Sequence, residues 1–110
     1  MPKYEKGTRV GAVMCSDQKK KTIDLLGYGI YEGDEVPESA VCGFAEACKE
    51  HGVGNPKIKL DSGKIVWGCE CWWGPEDVIK KHVNEARRAG YVVNNVDINK
   101  IREEFAKRSE

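Results

Sequence analysis

The segment VWGCECWWG, residues 66–74, is the part of this chain that most restricts how it can fold. It contains all three tryptophans and two of the five cysteines. Large aromatic side chains bury much apolar area, so a sheet or a bound partner has to cover part of this segment. Four interpretations follow: a metal site, a catalytic site, a binding face, or the core of a small sheet.

The preceding residues predict that this segment is the second strand of a hairpin. Runs of alternating apolar residues flank Asp-Ser-Gly at residues 61–63, and glycine suits the left-handed position of a short hairpin loop. If Leu60 pairs with Ile65, then Ile58 lies opposite Trp67. Because side chains alternate along a strand, this pairing defines a core face. That face holds Ile65, Trp67, Cys69, Cys71 and Trp73.

The other face of the predicted hairpin carries the main candidate binding residues. It places Trp72 and Glu70 beside Lys57 and Lys59. An aromatic plane next to charges of both signs suits a small polar or nucleotide-like ligand. The competing interpretation is a solvated outer face with one half-covered tryptophan. Three further candidates lie on another predicted hairpin: Arg9, Tyr28 and Tyr31.

The rest of the chain predicts one α+β domain over residues 1–110. Residues 8–33 form a long hairpin with a bulge or bend near Gly27, and residues 55–73 form the second hairpin. The expected architecture is a small antiparallel sheet, strongly bent into a half-barrel, with about three helices. Apolar residues at helical spacing predict these helices near residues 41–52, 75–90 and 97–105.

Composition narrows the function classes. The chain has 18 basic and 18 acidic residues among 110, and this zero net charge argues against general nucleic-acid binding. We expect no membrane association, because no apolar run is long enough to span a bilayer. The N-terminus has no hydrophobic signal core, and the cysteine count is odd. We therefore expect reduced thiols and a cytosolic protein.

Metal binding and catalysis are the less favoured interpretations. Cys-Glu-Cys at residues 69–71 lacks the knuckle spacing of zinc sites, although Cys48, His51, Cys69 and Cys71 remain an alternative ligand set. A cysteine nucleophile needs a base, and only His51 and His82 are available. His82 falls within an apolar helical stripe, which favours a packing role. We expect no enzyme activity and no cofactor.

Two segments of the chain resemble segments of a known group of proteins. LLGYGIYEGDEVP and NPKIKLDSGKIVWGCECWWGPE resemble parts of small uncharacterised proteins encoded by tailed bacteriophages. The resemblance covers about residues 7–77. It implies a bacterial host cytosol and an accessory role, since such phage proteins often bind and block a host factor. Some counter-defence proteins sequester nucleotide signals, which is an analogy to a class and not a motif match.

These observations lead to one expected function and its alternatives. We expect a non-catalytic phage accessory protein that acts in counter-defence by sequestering a small, anionic, nucleotide-like signal. The first alternative is a protein-interaction module that binds and inhibits a host protein. The second is a cysteine-ligated zinc protein. A homodimer formed through Ile98, Ile101 and Phe105 of the last helix is also predicted.

Overall fold

The computed structural model describes residues 4–36, 52 and 54–108. The described chain contains six strands and two α-helices. In chain order they are β1 Arg9–Asp17, β2 Thr22–Glu35, β3 Asn55–Leu60, β4 Ile65–Trp67, β5 Trp72–Pro75, α1 Glu76–Arg88, β6 Val92–Asn95 and α2 Ile98–Arg108. A 3₁₀ turn at Gly68–Glu70 separates β4 from β5.

All six strands belong to one sheet in the order β4-β3-β2-β1-β5, with β6 beside β2. The pairs are antiparallel except β2 with β6, which is parallel. The α+β class is thus confirmed. The sheet is larger than the two predicted hairpins, and the described residues contain two helices where about three were expected. The helix predicted near residues 41–52 lies almost wholly outside the described residues.

The link between β4 and β5 requires a curled sheet. These strands lie at opposite ends of the strand order, four spacings apart, or about 19 Å in a flat sheet. Five residue steps separate Trp67 from Trp72 and reach at most about 18 Å when fully extended. Three of the linking residues form the 3₁₀ turn, which shortens that reach. The two ends of the sheet therefore bend toward each other, although the sheet does not close.

The predicted irregularity near Gly27 is a β-bulge. Ala12 pairs with Gly27 and Val13 pairs with Leu25, so Leu26 is an extra residue on β2. Gly27 has a φ of 135°, which L side chains rarely adopt. This bulge adds local twist to the β1–β2 hairpin, in keeping with the curled sheet.

Apolar side chains are buried on both faces of the sheet. On one face, Ile79 and Val83 of α1 pack with residues of β1 and β2. At Gly11 an added Cβ would lie 2.8 Å from Ile79 Cβ, so glycine permits this close approach. On the other face, Ile98 of α2 joins the larger core and is 1 % exposed. This part of the stripe predicted for dimerisation packs internally, while the Phe105 side chain is outside the described residues.

The register of the β3–β4 hairpin differs from the predicted one by a single residue. Lys59 pairs with Ile65, and Ile58 pairs with Val66. A one-residue slip exchanges the faces of a strand, so Val66, not Ile65, occupies the core beside Ile58. The predicted continuous strand over residues 64–73 is also wrong, because β4 ends at Trp67 and the 3₁₀ turn follows.

Candidate ligand-binding surfaces

Glu70 does not lie on a binding face. Its side chain is fully buried and receives hydrogen bonds from the Trp67 backbone N–H at 2.9 Å and from Arg102 at 2.6 and 3.0 Å. Arg102 Nη2 also donates to the Ile65 carbonyl at 2.9 Å. The 3₁₀ turn directs this carboxylate inward, where it joins the turn to α2. It is a structural group and cannot accept hydrogen bonds from a ligand.

Trp72 and the two lysines of the predicted face do not lie on paired strands. Trp72 lies on β5, which pairs with β1, whereas Lys57 and Lys59 lie on β3. Lys57 forms an ion pair with Glu35 at 3.2 Å. Lys59 is exposed and has no ion-pair partner in the described part of the chain. The expected four-residue site is not assembled, because the predicted continuous strand is broken at Gly68 and the Glu70 side chain is buried.

Trp72 is nevertheless the most exposed tryptophan, as predicted. Its side chain is 50 % exposed, compared with 7 % for Trp67. The indole meets the His82 ring edge-on, with 5.0 Å between ring centroids. Val78, on the same side of α1 as His82, is 53 % exposed. The apolar stripe predicted to cover His82 instead divides, with Ile79 and Val83 buried and with Val78 and His82 exposed.

Arg9 is committed to a surface ion network. It donates to both carboxylate oxygens of Asp61, at 2.7 and 2.9 Å, and also to Glu76. Lys80 pairs with Glu76 at 3.2 Å and lies over the Tyr28 ring, 5.3 Å from its centroid. The hydrogen bonds from Arg9 lower the pKa of both carboxyl groups and raise that of the guanidinium. Asp61 and Glu76 already accept hydrogen bonds from the guanidinium N–H groups that Arg9 would otherwise offer to an anionic ligand.

Tyr31 is part of the core. Its ring is 9 % exposed and stacks on Trp73, with 5.5 Å between centroids. Its hydroxyl donates to Asp34 Oδ1 at 2.6 Å, and this bond raises the pKa of Tyr31 to about 12. Of the seven predicted binding residues, Glu70 and Tyr31 are internal, while Arg9 and Lys57 are paired. Trp72, Lys59 and Tyr28 keep some accessible surface.

The cysteines are not all reduced, contrary to expectation. Cys69 is disulfide-bonded, and its partner lies outside the described residues, since Cys15 and Cys71 are free. Burial raises the pKa of Cys71 to about 12, and its thiol donates to the Trp67 carbonyl. The described residues contain no group of three or more potential metal ligands. The alternative zinc set loses Cys69 as a thiolate donor, while Cys48 and His51 are outside the described residues.

Five exposed cationic side chains lie on two segments that a backbone hydrogen bond holds together. The turn between β1 and β2 presents three exposed lysines, and α1 ends in two exposed arginines. The Val92 N–H donates to the Lys21 carbonyl at 2.9 Å, which holds this turn beside the chain that leaves α1. None of the five has an ion-pair partner within the described residues. We call this surface the cationic end; it comprises Lys19, Lys20, Lys21, Arg87 and Arg88.

A cleft between the β1–β2 hairpin and α1 includes Gln18, the residue that precedes Lys19 of the cationic end. The cleft has a volume of about 270 Å³, and we call it the His82 cleft. Its lining combines two aromatic rings with polar side chains: Ser16, Gln18, Ile23, His82, Glu85, Ala86 and Tyr91. The sequence indicated only a polar turn at residues 16–21. The run of three lysines is visible in the sequence as a possible anion-binding segment. Its position beside α1 results from the β2–β6 pairing, which the sequence did not predict.

Comparison with protein-family models, curated proteins and solved structures found no match. Among the described residues, neither helix has the length and apolar character that a membrane span requires.

Proposed function

We propose that this chain is a non-catalytic binding protein for a small, anionic, nucleotide-like ligand. The observation that carries the proposal is the cationic end, whose side chains have no ion-pair partner among the described residues and whose lysine turn directly follows Gln18 of the His82 cleft. Clustered charge of one sign raises the local concentration of ligands of the opposite sign. The site differs from the one expected from sequence, while the ligand class is the same.

The cleft offers groups that suit the two parts of a nucleotide. Lys19 and Lys20 on the turn would meet phosphate oxygens. The rings of His82 and Tyr91 offer faces on which a base can stack. Glu85 would accept hydrogen bonds from base N–H groups, and Gln18 can both donate and accept. Charge supplies affinity for phosphate, while the polar lining supplies discrimination among bases.

The arrangement of side chains in this cleft favours ligand binding over catalysis. Ser16 and His82 both line it, but no hydrogen bond joins them in the described structure. A serine nucleophile needs an adjacent base that is itself oriented by a third group. Without that arrangement, sequestration of the ligand accounts for the residues that are present.

The biological setting is part of the proposal. The resemblance to phage proteins favours an accessory, counter-defence role in the host cytosol, where sequestering a nucleotide signal would be effective. Disulfides are uncommon in that compartment. The cystine at Cys69 would persist there only if its reduction potential lies below that of the cytosolic thiol pool.

A second candidate function is inhibition of a host protein through the surface around Trp72. Trp72 and Val78 are each at least half exposed, and His82 lies between them and the cleft. Tryptophan is enriched among residues that dominate protein-interface energies. A second copy of this chain could occupy the same surface, which would give a homodimer through a surface other than the predicted last helix. Protein binding through this surface would not involve an anionic ligand. Its affinity should therefore not depend on the salt-sensitive contacts of the lysines.

Native mass spectrometry tests the ligand proposal. The purified full chain is mixed with ATP, GTP, cyclic AMP, cyclic di-AMP and cyclic di-GMP at equal micromolar concentrations. The proposal predicts one retained nucleotide per chain, whose occupancy falls as ammonium acetate is raised from 20 to 500 mM. Absence of any retained nucleotide at 20 mM would contradict it. The same spectra report whether the chain is a monomer or a dimer.

A further inference from the structure

A groove runs beside α2, on the sheet face opposite α1. Its volume is about 450 Å³, larger than the His82 cleft. Three apolar side chains contribute to its lining, and each is only partly buried where it packs on the main core: Met14, Val96 and Ile101. The groove therefore extends the core to the surface, where a further apolar side chain could bury against it.

The groove follows the helix axis. Asp97, Lys100, Ile101 and Glu104 all line it, and they are spaced i, i+3, i+4 and i+7. Residues at this spacing form one stripe along a helix. Seven residue steps correspond to about 10 Å of helix. A stripe of this length matches about three residues of an extended chain.

The rim of this groove is acidic. Asp24 accepts hydrogen bonds from the Cys15 thiol and the Asn94 amide, both uncharged, and no cation among the described residues forms an ion pair with it. Glu104 is exposed and has no partner within the described residues. Asp97 pairs with Lys64 at 2.9 Å, outside the groove lining. Lys100 is the single cation among the described residues that line the groove.

From this combination we propose that the groove docks an extended segment of a partner protein in which an apolar side chain is flanked by lysine or arginine. The apolar side chain enters between Met14 and Ile101, and the flanking cations lie against Asp24 and Glu104. Charge complementarity selects this partner over an acidic or purely apolar one. The groove is separate from the His82 cleft, because Asp24 of the groove and Ile23 of the cleft are adjacent on β2 and their side chains point to opposite faces.

Fluorescence anisotropy with a labelled probe peptide tests the proposal. The probe is a seven-residue peptide with one central leucine flanked by three lysines on each side, and its control has glycine in place of the leucine. The full chain should bind the probe at micromolar concentration and the control at least about fivefold more weakly, since the leucine loses its burial. In 20 mM salt, Glu104→Lys should weaken binding about fivefold and Lys100→Glu should tighten it. Glu103→Lys makes the same charge change outside the groove and should alter binding less than twofold.

A second readout locates the peptide. The Cys15 thiol lies 3.2 Å from Asp24 Oδ2, so bound peptide should slow maleimide labelling of Cys15. Equal effects of Glu103→Lys and Glu104→Lys, or equal binding of probe and glycine control, would overturn the proposal in favour of general charge attraction. Complete displacement of the peptide by micromolar spermine would overturn it in favour of a small polyamine site. Failure of the probe to bind at 1 mM would also overturn it.

Discussion

Arg102 and Glu70 form a buried ion pair that joins helix α2 to the turn between β4 and β5. Arg102 Nη2 lies 2.6 Å from Glu70 Oε1, and the Glu70 side chain is fully buried. The same carboxylate accepts the Trp67 N–H, while Arg102 also donates to the Ile65 carbonyl. One residue pair thus connects two segments that are 32 positions apart in sequence.

Removing the arginine should be more damaging than replacing the pair. Arg102→Met leaves a buried carboxylate without its cation, which we expect to cost about 3–5 kcal/mol of unfolding free energy. The double variant Glu70→Gln, Arg102→Met should recover part of this loss, because no unpaired charge remains. Urea unfolding of the three proteins measures the difference. A double variant less stable than Arg102→Met alone would contradict this account of the pair.

The thiol count should reveal the cystine at Cys69. With five cysteines and one disulfide, protein denatured without reductant should show three free thiols, and reduction should raise the count to five. In the folded protein at pH 8, exposed Cys15 should react with iodoacetamide before Cys71, whose burial raises its pKa to about 12. Five free thiols before reduction would show that the disulfide is absent.

Acid stability should depend on Arg9. Its hydrogen bonds lower the pKa of Asp61 and Glu76 in the folded state, so their contribution to stability is present above their unfolded values of 3.8 and 4.5. That contribution is lost as the pH falls through the lower, folded values. Arg9→Gln should therefore flatten the decline of melting temperature between about pH 5 and pH 2.5. The control is Lys59→Gln, which removes an exposed cation without an ion-pair partner in the described chain; an identical slope in both variants would contradict the assignment.

The tryptophans should respond differently to truncation. Trp67→Ala removes a side chain that is 7 % exposed and should cost about 3–5 kcal/mol. Trp72 is half exposed, so Trp72→Ala should cost about 1 kcal/mol, the worth of its edge-on contact with His82. Thermal melts of both variants distinguish them. If Trp67→Ala remained folded while Trp72→Ala unfolded, the assignment of Trp67 as the buried and Trp72 as the exposed tryptophan would be contradicted.

Local sequence patterns predicted the strands and helices better than the surface they form. The β1–β2 hairpin, the bulge near Gly27 and the helix after Pro75 follow from alternation, glycine position and helix-start residues. The β3–β4 register did not, because Ile58 meets an apolar residue in either of two pairings across Asp-Ser-Gly, and the observed pairing places it opposite Val66. That one-residue difference, together with the 3₁₀ turn at Gly68, buries Glu70 and places Trp72 on a strand that does not pair with β3.

The cationic end could not be predicted for a different reason. Lys19–Lys21 and Arg87–Arg88 are far apart in sequence, and each run alone is typical of a solvated turn or helix end. They approach because β6 pairs in parallel with β2, and the Val92 N–H bonds to the Lys21 carbonyl. Parallel pairing between a hairpin strand and a short strand 70 residues later leaves no local signal in the sequence.

The central claim, that the cationic end binds an anionic nucleotide-like ligand, is tested most directly by titrating fluorescein-labelled cyclic di-AMP and labelled ATP into three proteins. They are the unaltered chain, the double variant Lys19→Ala, Lys20→Ala, and the control Lys59→Ala, which removes an exposed lysine from β3. Lys21 is retained because its φ of 52° and its bond to Val92 shape the turn. The account predicts that the double variant binds at least one probe about tenfold more weakly at 20 mM salt, with the difference shrinking at 500 mM, while Lys59→Ala stays within twofold. Equal binding by all three proteins, or no binding of either probe to the unaltered chain, would contradict it.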